Sequence, residues 1–189
     1  MRIGSPRIAP VDAGQADADQ KELLESLASG GRPSLNVFKT FARFPDAARA
    51  FLAWGGYILS PRNALDARRR ELVILRTGFN CRSGYEWTQH VPIGQRAGLT
   101  DEEIARVKTG PGDPAWDALD RASLQACDEL HADQYVQPTT WSALEPLGDK
   151  GRMDLVMTVG QYTQVSMFLN SLGVQLDEGQ TLDPDLDHR

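Results

Sequence analysis

The sequence predicts an all-α protein, and three observations support this prediction. Apolar residues recur at three- and four-residue steps in most segments, as they do on one face of a helix. Glycine, proline and capping residues separate these segments at short intervals. No segment shows a convincing alternation of apolar and polar residues, which a half-buried strand would need. A chain of 189 residues can bury one complete hydrophobic core, so we expect a single domain over residues 1–189.

An extended arm is predicted at the start of the chain, and an acidic tail at its end. Residues 1–15 contain prolines without periodicity, and we expect this arm to lie across a neighbouring subunit. Two glycines and a proline within residues 29–33 end the first predicted helix before the second begins. Residues 178–189 lose periodicity and predict a solvated acidic tail. Helices are expected over 20–27, 36–60 (two helices that divide near Pro45), about 63–79, 84–97, 100–107, 114–130, from 138 onward, and about 151–172.

Three start signals set the boundaries of these helices. Asn63 can cap the helix that ends near residue 79. Residues 100–103 read Thr-Asp-Glu-Glu, which is a capping-box sequence. Asp113 and Pro114 supply an N-cap and a proline at the first helical position. The long apolar periodicity of 151–172 predicts the central helix of the domain.

Composition and charge exclude several classes of partner. The net charge is −6 and no Lys/Arg-rich run occurs, so we expect no nucleic-acid partner. No stretch approaches the roughly 18 apolar residues of a membrane span, and the first residues lack the apolar core of a signal peptide. We therefore expect a cytoplasmic protein without a membrane partner. Two cysteines exclude a disulfide framework, and three widely separated histidines offer little for a zinc site, so no metal is expected.

Glu71 is a carboxylate in an apolar setting. It precedes four consecutive apolar residues at 72–75, which point in all directions on a helix, so this turn should be buried on most sides. A buried carboxyl group finds a cationic or hydrogen-bonding partner, or it takes up a proton. One interpretation is a structural ion pair with Arg68, Arg70 or Arg76, and the other is a functional carboxylate.

Glu86 and His90 are four residues apart, so on a helix their side chains lie one above the other. A His–carboxylate pair can act as a general acid or base near neutral pH, where an ordinary imidazole is half-titrated and the carboxylate fixes its tautomer. Tyr85 and Trp87 flank the pair and could bury a site or hydrogen-bond within it. The alternative is a pair that only bridges an exposed helical turn.

Two further side chains, Cys81 and Ser83, lie between Glu71 and this pair in the sequence. Cys81 could face the same pocket, although a lone thiol is more often inert filling. Ser83 could bind a ligand, but capping the next helix is the favoured interpretation. Cys127 is expected in the core, and His131 at the end of its helix, where a cation complements the helix dipole.

Four segments of the chain resemble motifs of the carboxymuconolactone decarboxylase family, which includes the AhpD-like alkylhydroperoxidases. They are Glu-Leu-Val-Ile-Leu-Arg at 71–76, Tyr-Glu-Trp-Thr-Gln-His at 85–90, Ala-Gly-Leu-Thr at 97–100 and Phe-Leu-Asn-Ser-Leu-Gly at 168–173. The resemblance covers about 35–173. It implies an AhpD-like helical bundle that forms a homo-oligomer (dimer, trimer or hexamer) and needs neither an organic cofactor nor a metal.

The peroxidase branch of that family carries a Glu, a CxxC pair and a His at fixed spacings. Counted from Glu71, the two cysteine positions here hold Ser83 and Glu86, whereas the histidine position holds His90. A dithiol cycle needs an attacking thiolate and a resolving thiol, so this chain has lost the electron carrier. Cys81 lies two positions early and has no resolving partner in the local sequence.

The retained groups suit proton transfer, and the resemblance implies a small carboxylated substrate. We expect cofactor-free decarboxylation or proton transfer on a carboxylated lactone or related oxygenated acid. One alternative is a thiol peroxidase that uses Cys81, and another is an oligomer that binds a small ligand without turnover. The predicted catalytic residues are Glu71, Glu86 and His90, and the predicted substrate-binding residues are Cys81, Ser83, Tyr85 and Trp87.

Overall fold

The computed structural model describes residues 2–28 and 34–186, and within them the regular structure is helical. The predicted break at 29–33 and the last three residues, including His188, lie outside this part of the chain. Short 3₁₀ turns at Glu145–Leu147 and Pro184–Leu186 accompany the α-helices. The α-helices are α1 (Ala18–Leu27), α2 (Asn36–Phe41), α3 (Pro45–Ile58), α4 (Ala67–Asn80), α5 (Gly84–Arg96), α6 (Asp101–Thr109), α7 (Ala118–Asp133), α8 (Pro138–Ala143) and α9 (Gly148–Leu172).

The centre of the fold is α4, which packs against α5, α6, α7 and α9. Its residues 71–78 are all buried, as the apolar run predicts. Successive side chains enter different parts of the core: Leu72 packs with α5 and α6, Val73 with α7 and α9, and Ile74 with α3 and α9. The sequence prediction of a central 151–172 helix is therefore only partly right, because α9 shares the middle of the fold with α4.

Two predicted N-caps are wrong, and both helices start a few residues later than expected. Asp66 caps α4 by accepting a hydrogen bond from the Arg69 amide, and Asp117 caps α7 in the same way. Asn63 and Asp113 instead accept bonds from amides two residues ahead, at Leu65 and Ala115. Short polar side chains stabilise such turns as readily as they cap helices, and only the path of the chain decides between the two. The capping box at Thr100 is confirmed.

The described parts of both chain ends pack on the body of the domain. The amides of Arg7 and Ile8 donate to the Leu172 carbonyl at the end of α9, and contact of the arm with a neighbouring subunit stays a prediction. The described part of the tail departs from the solvated form that its charge predicts. Leu186 is 1% exposed, and the Asp183 carboxylate forms an ion pair with Lys108 of α6 at 2.7 Å. Burial of an apolar residue thus helps to hold this acidic segment on the domain.

None of the helices in the described ranges combines the length and the apolar character that a membrane span requires.

Aromatic side chains pack together where α2, α3 and α9 meet. Phe41 and Phe51 stack with their ring centroids 4.5 Å apart, and Phe168 of α9 meets both rings edge-on. Other large apolar side chains are exposed at the two ends of α3, between α7 and α8, on α8 and on α9. They are Phe44, Leu59, Tyr135, Trp141, Met153, Val156 and Met167.

We expect this surface to support self-association, because contiguous apolar patches are rarely left in water. Sedimentation at micromolar concentration should show a species larger than the 20.8 kDa monomer. The double variant Val156→Lys/Met167→Lys should shift it toward monomer, whereas Glu102→Lys on α6 should not. A wild-type protein that sediments as a monodisperse monomer would contradict the prediction.

Candidate functional site

The structure brings Glu71, Glu86 and His90 together between α4 and α5. Nδ1 of His90 lies 2.6 Å from Oε2 of Glu71, and Nε2 lies 2.9 Å from Oε1 of Glu86. Glu71 comes from the second turn of α4, whereas the other two residues share one face of α5. The imidazole is therefore held between two carboxyl groups, one on each helix.

Two glycines lie where α4 and α5 pack beside the site. A Cβ atom at Gly78 of α4 would lie 3.4 Å from Cγ of Glu86, and one at Gly94 of α5 would lie 3.3 Å from a methyl group of Leu75 and 3.7 Å from Cβ of Glu71. Side chains of the facing helix therefore fill the space beside each glycine, and little room remains for a larger residue at Gly94.

All three side chains are buried, with Glu71 only 1% exposed. Two of the three arginines that the sequence offers as ion-pair partners for Glu71 bind other carboxylates, and the third, Arg70, forms no ion pair with Glu71. Arg68 binds Asp120, and Arg76 makes a bidentate contact with Asp128 at 2.6 and 2.8 Å. The structural ion pair with an arginine is therefore not the arrangement found, and the partner of Glu71 is an imidazole.

The environment raises the pKa of His90 to about 10. Burial alone would lower it, because it disfavours the charged imidazolium, but the negative charge of Glu86 and the hydrogen bond to Glu71 outweigh this effect. His90 is therefore protonated at neutral pH. The half-titrated imidazole that an ordinary histidine pKa predicts is wrong for this site, because Glu71 adds to the effect of Glu86 and both raise the pKa of His90.

The charge determines which ring nitrogens of His90 carry a proton, because an imidazolium has an N–H group on both. The Nδ1–H donates to Oε2 of Glu71, which fixes the ring plane. Oε1 of Glu86 lies close to Nε2 but is not aligned for a hydrogen bond, and it is one of several buried oxygens without a hydrogen-bond partner among the described residues. Oε1 of Glu71 and Oγ of Ser83 are also buried without a hydrogen-bond partner among these residues. The Nε2–H of His90 is the donor best placed for transfer.

One residue that the sequence assigns to the core also belongs to this site. The ring of Tyr162 on α9 meets the imidazole of His90 edge-on, with centroids 5.1 Å apart. Burial, followed by the charges of Glu86 and Glu71, raises the pKa of Tyr162 well above its ordinary value, so its hydroxyl stays neutral. Apolar periodicity predicts that Tyr162 faces inward, but it carries no signal that the ring covers His90.

Two of the other predicted site residues, Tyr85 and Trp87, make their contacts elsewhere. The Tyr85 hydroxyl donates to Asp177 at 2.7 Å, and Trp87 packs in the core against Phe79, with ring centroids 5.7 Å apart. Neither lies against His90, because neighbouring positions on a helix point in different directions. Ser83 occupies the N-cap position of α5 without forming a side-chain cap, so the favoured capping role is wrong.

Cys127 lies in the core, whereas Cys81 and His131 line a separate cavity. Cys127 is fully buried beside the Val73 carbonyl, as expected. Cys81 lines a cavity between the end of α4 and α9, where its Sγ lies 3.8 Å from Nδ1 of His131. His131 is thus not simply a cation at a helix end, and the 50 residues that separate it from Cys81 hide the contact from sequence reasoning.

Residues 45–129 match the carboxymuconolactone decarboxylase family, which confirms the resemblance. The matched segment contains Glu71, Glu86 and His90. No curated protein matches the chain.

Solved structures with this fold include two peroxidase-related proteins and a debrominase. An alkylhydroperoxidase AhpD core protein, an uncharacterized peroxidase-related protein from Ralstonia eutropha, is 21% identical, with a TM-score of 0.75 over 93% of this chain and 95% of that one. A peroxidase-related protein from Silicibacter has 15% identity, a TM-score of 0.77, and 93% and 96% coverage. A debrominase in complex with 2,3,4-tribromopyrrole has 10% identity, a TM-score of 0.70, and 90% and 91% coverage. At these identities the likeness shows the fold alone.

The raised pKa of His90 makes stability depend on pH. Its folded-state pKa lies above the ordinary value of 6.5, so the imidazolium contributes stability that is fully present below about pH 6.5 and is lost as pH rises toward 10. In that window the free energy of unfolding should fall by up to about 1.4 kcal/mol per pH unit more in the wild type than in His90→Gln. Urea unfolding at several pH values measures this difference, and parallel slopes for the two proteins would contradict it.

Proposed function

Because residues 45–129 belong to the carboxymuconolactone decarboxylase family, we propose that the chain is an acid/base enzyme that acts without a cofactor on a small carboxylated lactone or a related oxygenated acid. The observation that carries this proposal is the protonated His90 between two carboxyl groups. A group of this kind can deliver a proton to a carbon that becomes negatively charged during reaction.

The proposed steps follow from the geometry. When the substrate loses CO₂, the electron pair of the broken carbon–carbon bond stays on the α-carbon as an enolate. His90 donates its Nε2 proton to that carbon and becomes neutral, and a proton from solvent restores the imidazolium. Glu71 holds the ring through Nδ1, and Glu86 keeps the ring charged before transfer. The low dielectric around these buried groups strengthens each interaction.

Ser83 is the further residue that we place at the substrate. Its Oγ is fully buried and has no hydrogen-bond partner among the described residues. An unpaired buried hydroxyl costs about 1–3 kcal/mol, which a polar group of a bound substrate would offset. The substrate-binding role predicted for Ser83 therefore remains in the proposal, whereas the places of Tyr85 and Trp87 support structural roles.

The test measures CO₂ release across a panel of carboxylated lactones and keto acids. His90→Gln should lower kcat by about 10²–10⁴, the usual contribution of a general acid. Glu71→Gln should lower it less, because the ring loses a charged anchor but keeps a hydrogen-bond acceptor. Glu102→Gln, which removes an exposed carboxylate from α6, serves as the matched control and should retain wild-type kcat. Equal activity in His90→Gln and the control would refute the assignment.

A non-catalytic role has a distinct signature in the same experiment. A helical oligomer that only binds small molecules should show saturable binding by calorimetry without turnover of any lactone, keto acid or hydroperoxide. The debrominase relative is described in complex with a small brominated pyrrole, so halogenated heterocycles belong in the binding panel.

The peroxidase alternative is suggested by the peroxidase-related structures that share the fold. The positions of the thiols argue against a dithiol cycle. Cys127 is fully buried in the α7 core, and burial, with the nearby charge of Asp128, raises its pKa to about 12, so it cannot serve as a ready resolving thiol.

We accordingly expect no sustained turnover of alkyl hydroperoxides with a dithiol reductant. Exposure to hydroperoxide should oxidise Cys81 at most once per chain, which mass spectrometry of the intact protein can count. Repeated turnover that is lost in Cys81→Ser but kept in Cys127→Ser would establish the alternative in place of the acid/base proposal.

A further inference from the structure

A polar cavity of about 490 Å³ lies between the N-terminal arm, the end of α4 and α9. The imidazole of His90 does not line this cavity. Several ionisable or hydroxyl-bearing side chains do line it. They are Arg2, Arg7, Cys81, His131, Thr163 and Ser166.

Cys81 and His131 form a nucleophile–base pair in this cavity. Sγ lies 3.8 Å from Nδ1, within the range of a weak sulfur hydrogen bond. The backbone that carries the thiol is fixed, because the Asn170 side chain of α9 donates to the Cys81 carbonyl at 3.0 Å. The imidazole approaches from the last turn of α7, so two helices and the α4 terminus set the geometry.

The resting thiol is protonated. Burial raises the pKa of Cys81, and the charge of Glu86 acts in the same direction, although the hydroxyls of Thr163 and Ser166 and the charge of Arg2 partly offset the effect. Reaction at this sulfur therefore requires a base to remove the proton, and His131 is the basic group in contact with it.

Ser166 adds a buried hydroxyl beside the thiol. It is 1% exposed, lines the cavity, and makes no hydrogen bond of good geometry within the described residues, although it lies close enough to Cys81 to lower the pKa of the thiol. Buried hydroxyls are normally paired, so a polar group that enters the cavity can pair with this one.

The charge of the side chains that line the cavity favours a negatively charged ligand. Arg2 and Arg7 contribute two guanidinium groups, and Arg7 is held by donating to the Ser171 carbonyl at 3.2 Å. The described residues that line the cavity include no aspartate or glutamate. Guanidinium groups bind carboxylates well, since both are planar and can pair through two hydrogen bonds.

We propose that this cavity is a second, nucleophilic site that takes small carboxylated electrophiles, with Cys81 as the nucleophile and His131 as its base. The arginines bind the carboxylate while His131 removes the thiol proton. Sulfur then forms a bond to the electrophilic carbon, and the electron pair of the broken bond leaves with the displaced group. The product is a thioether on Cys81 and a protonated His131.

Competitive alkylation with iodoacetate and iodoacetamide tests this proposal on the full chain. The reagents share one leaving group, iodide, and differ in charge, so the ratio of their rates isolates the contribution of the arginines. Peptide mass spectrometry reads labelling at Cys81, and the core thiol Cys127 is the internal control, because it should stay unlabelled while the protein is folded.

Cys81 should react with both reagents, and iodoacetate should be favoured relative to a free cysteine peptide. His131→Gln should slow both reagents by about 10²-fold or more. Arg2→Gln/Arg7→Gln should slow iodoacetate by about fivefold and leave iodoacetamide unchanged. Arg43→Gln, an exposed arginine away from the cavity, should leave the rate ratio unchanged.

An unchanged rate in His131→Gln, with Cys127 still protected, would overturn the role of the base. An unchanged rate ratio in the double arginine variant would overturn the selection of carboxylates. Neither readout depends on decarboxylation, so this site can fail or stand independently of the proposed function.

Discussion

The hydrogen bond between Nδ1 of His90 and the Glu71 carboxylate is the interaction on which the arrangement of this protein depends. It joins α4, the helix at the centre of the fold, to α5 through two buried polar groups. Each group would be costly to bury alone, and the imidazolium of His90 offsets part of the negative charge of Glu71 and Glu86. Gly78 and Gly94 lie beside the same pair of helices, where side chains of the facing helix occupy the space next to them.

The charge on His90 links this packing to chemistry. Two carboxylates hold a proton on the imidazole at pH values where an ordinary histidine would release it. The peroxidase branch of the resembling family uses a thiol pair where this chain has Ser83 and Glu86. The second of these substitutions does more than remove sulfur, because it adds the negative charge that raises the histidine pKa. Glu86 therefore both breaks the CxxC spacing of that branch and adds charge that keeps His90 protonated.

The N-terminal arm contributes to the surface beside α9, because Arg2 and Arg7 line the cavity that holds Cys81. The tail lies against α6, where Asp183 binds Lys108. Glu86 lies near enough to Cys81 for its charge to act on the thiol. The two candidate sites therefore share an electrostatic neighbourhood, although we propose a proton donor at one and a nucleophile at the other.

Local patterns in the sequence determined the helical class, the order of the helices and the residue types of the main site. Helical periodicity and capping chemistry operate within a few residues, so they are readable without the fold, and the i, i+4 spacing of Glu86 and His90 placed them on one face of α5. Tertiary structure decided what those residues face. It pairs Glu71 with His90 instead of an arginine. It places Tyr85 and Trp87 in two different hydrophobic clusters, and it brings His131 next to Cys81. These outcomes depend on how the helices cross, and the two carboxylates that this crossing brings to His90, against the opposing effect of burial, set the protonation state of the site.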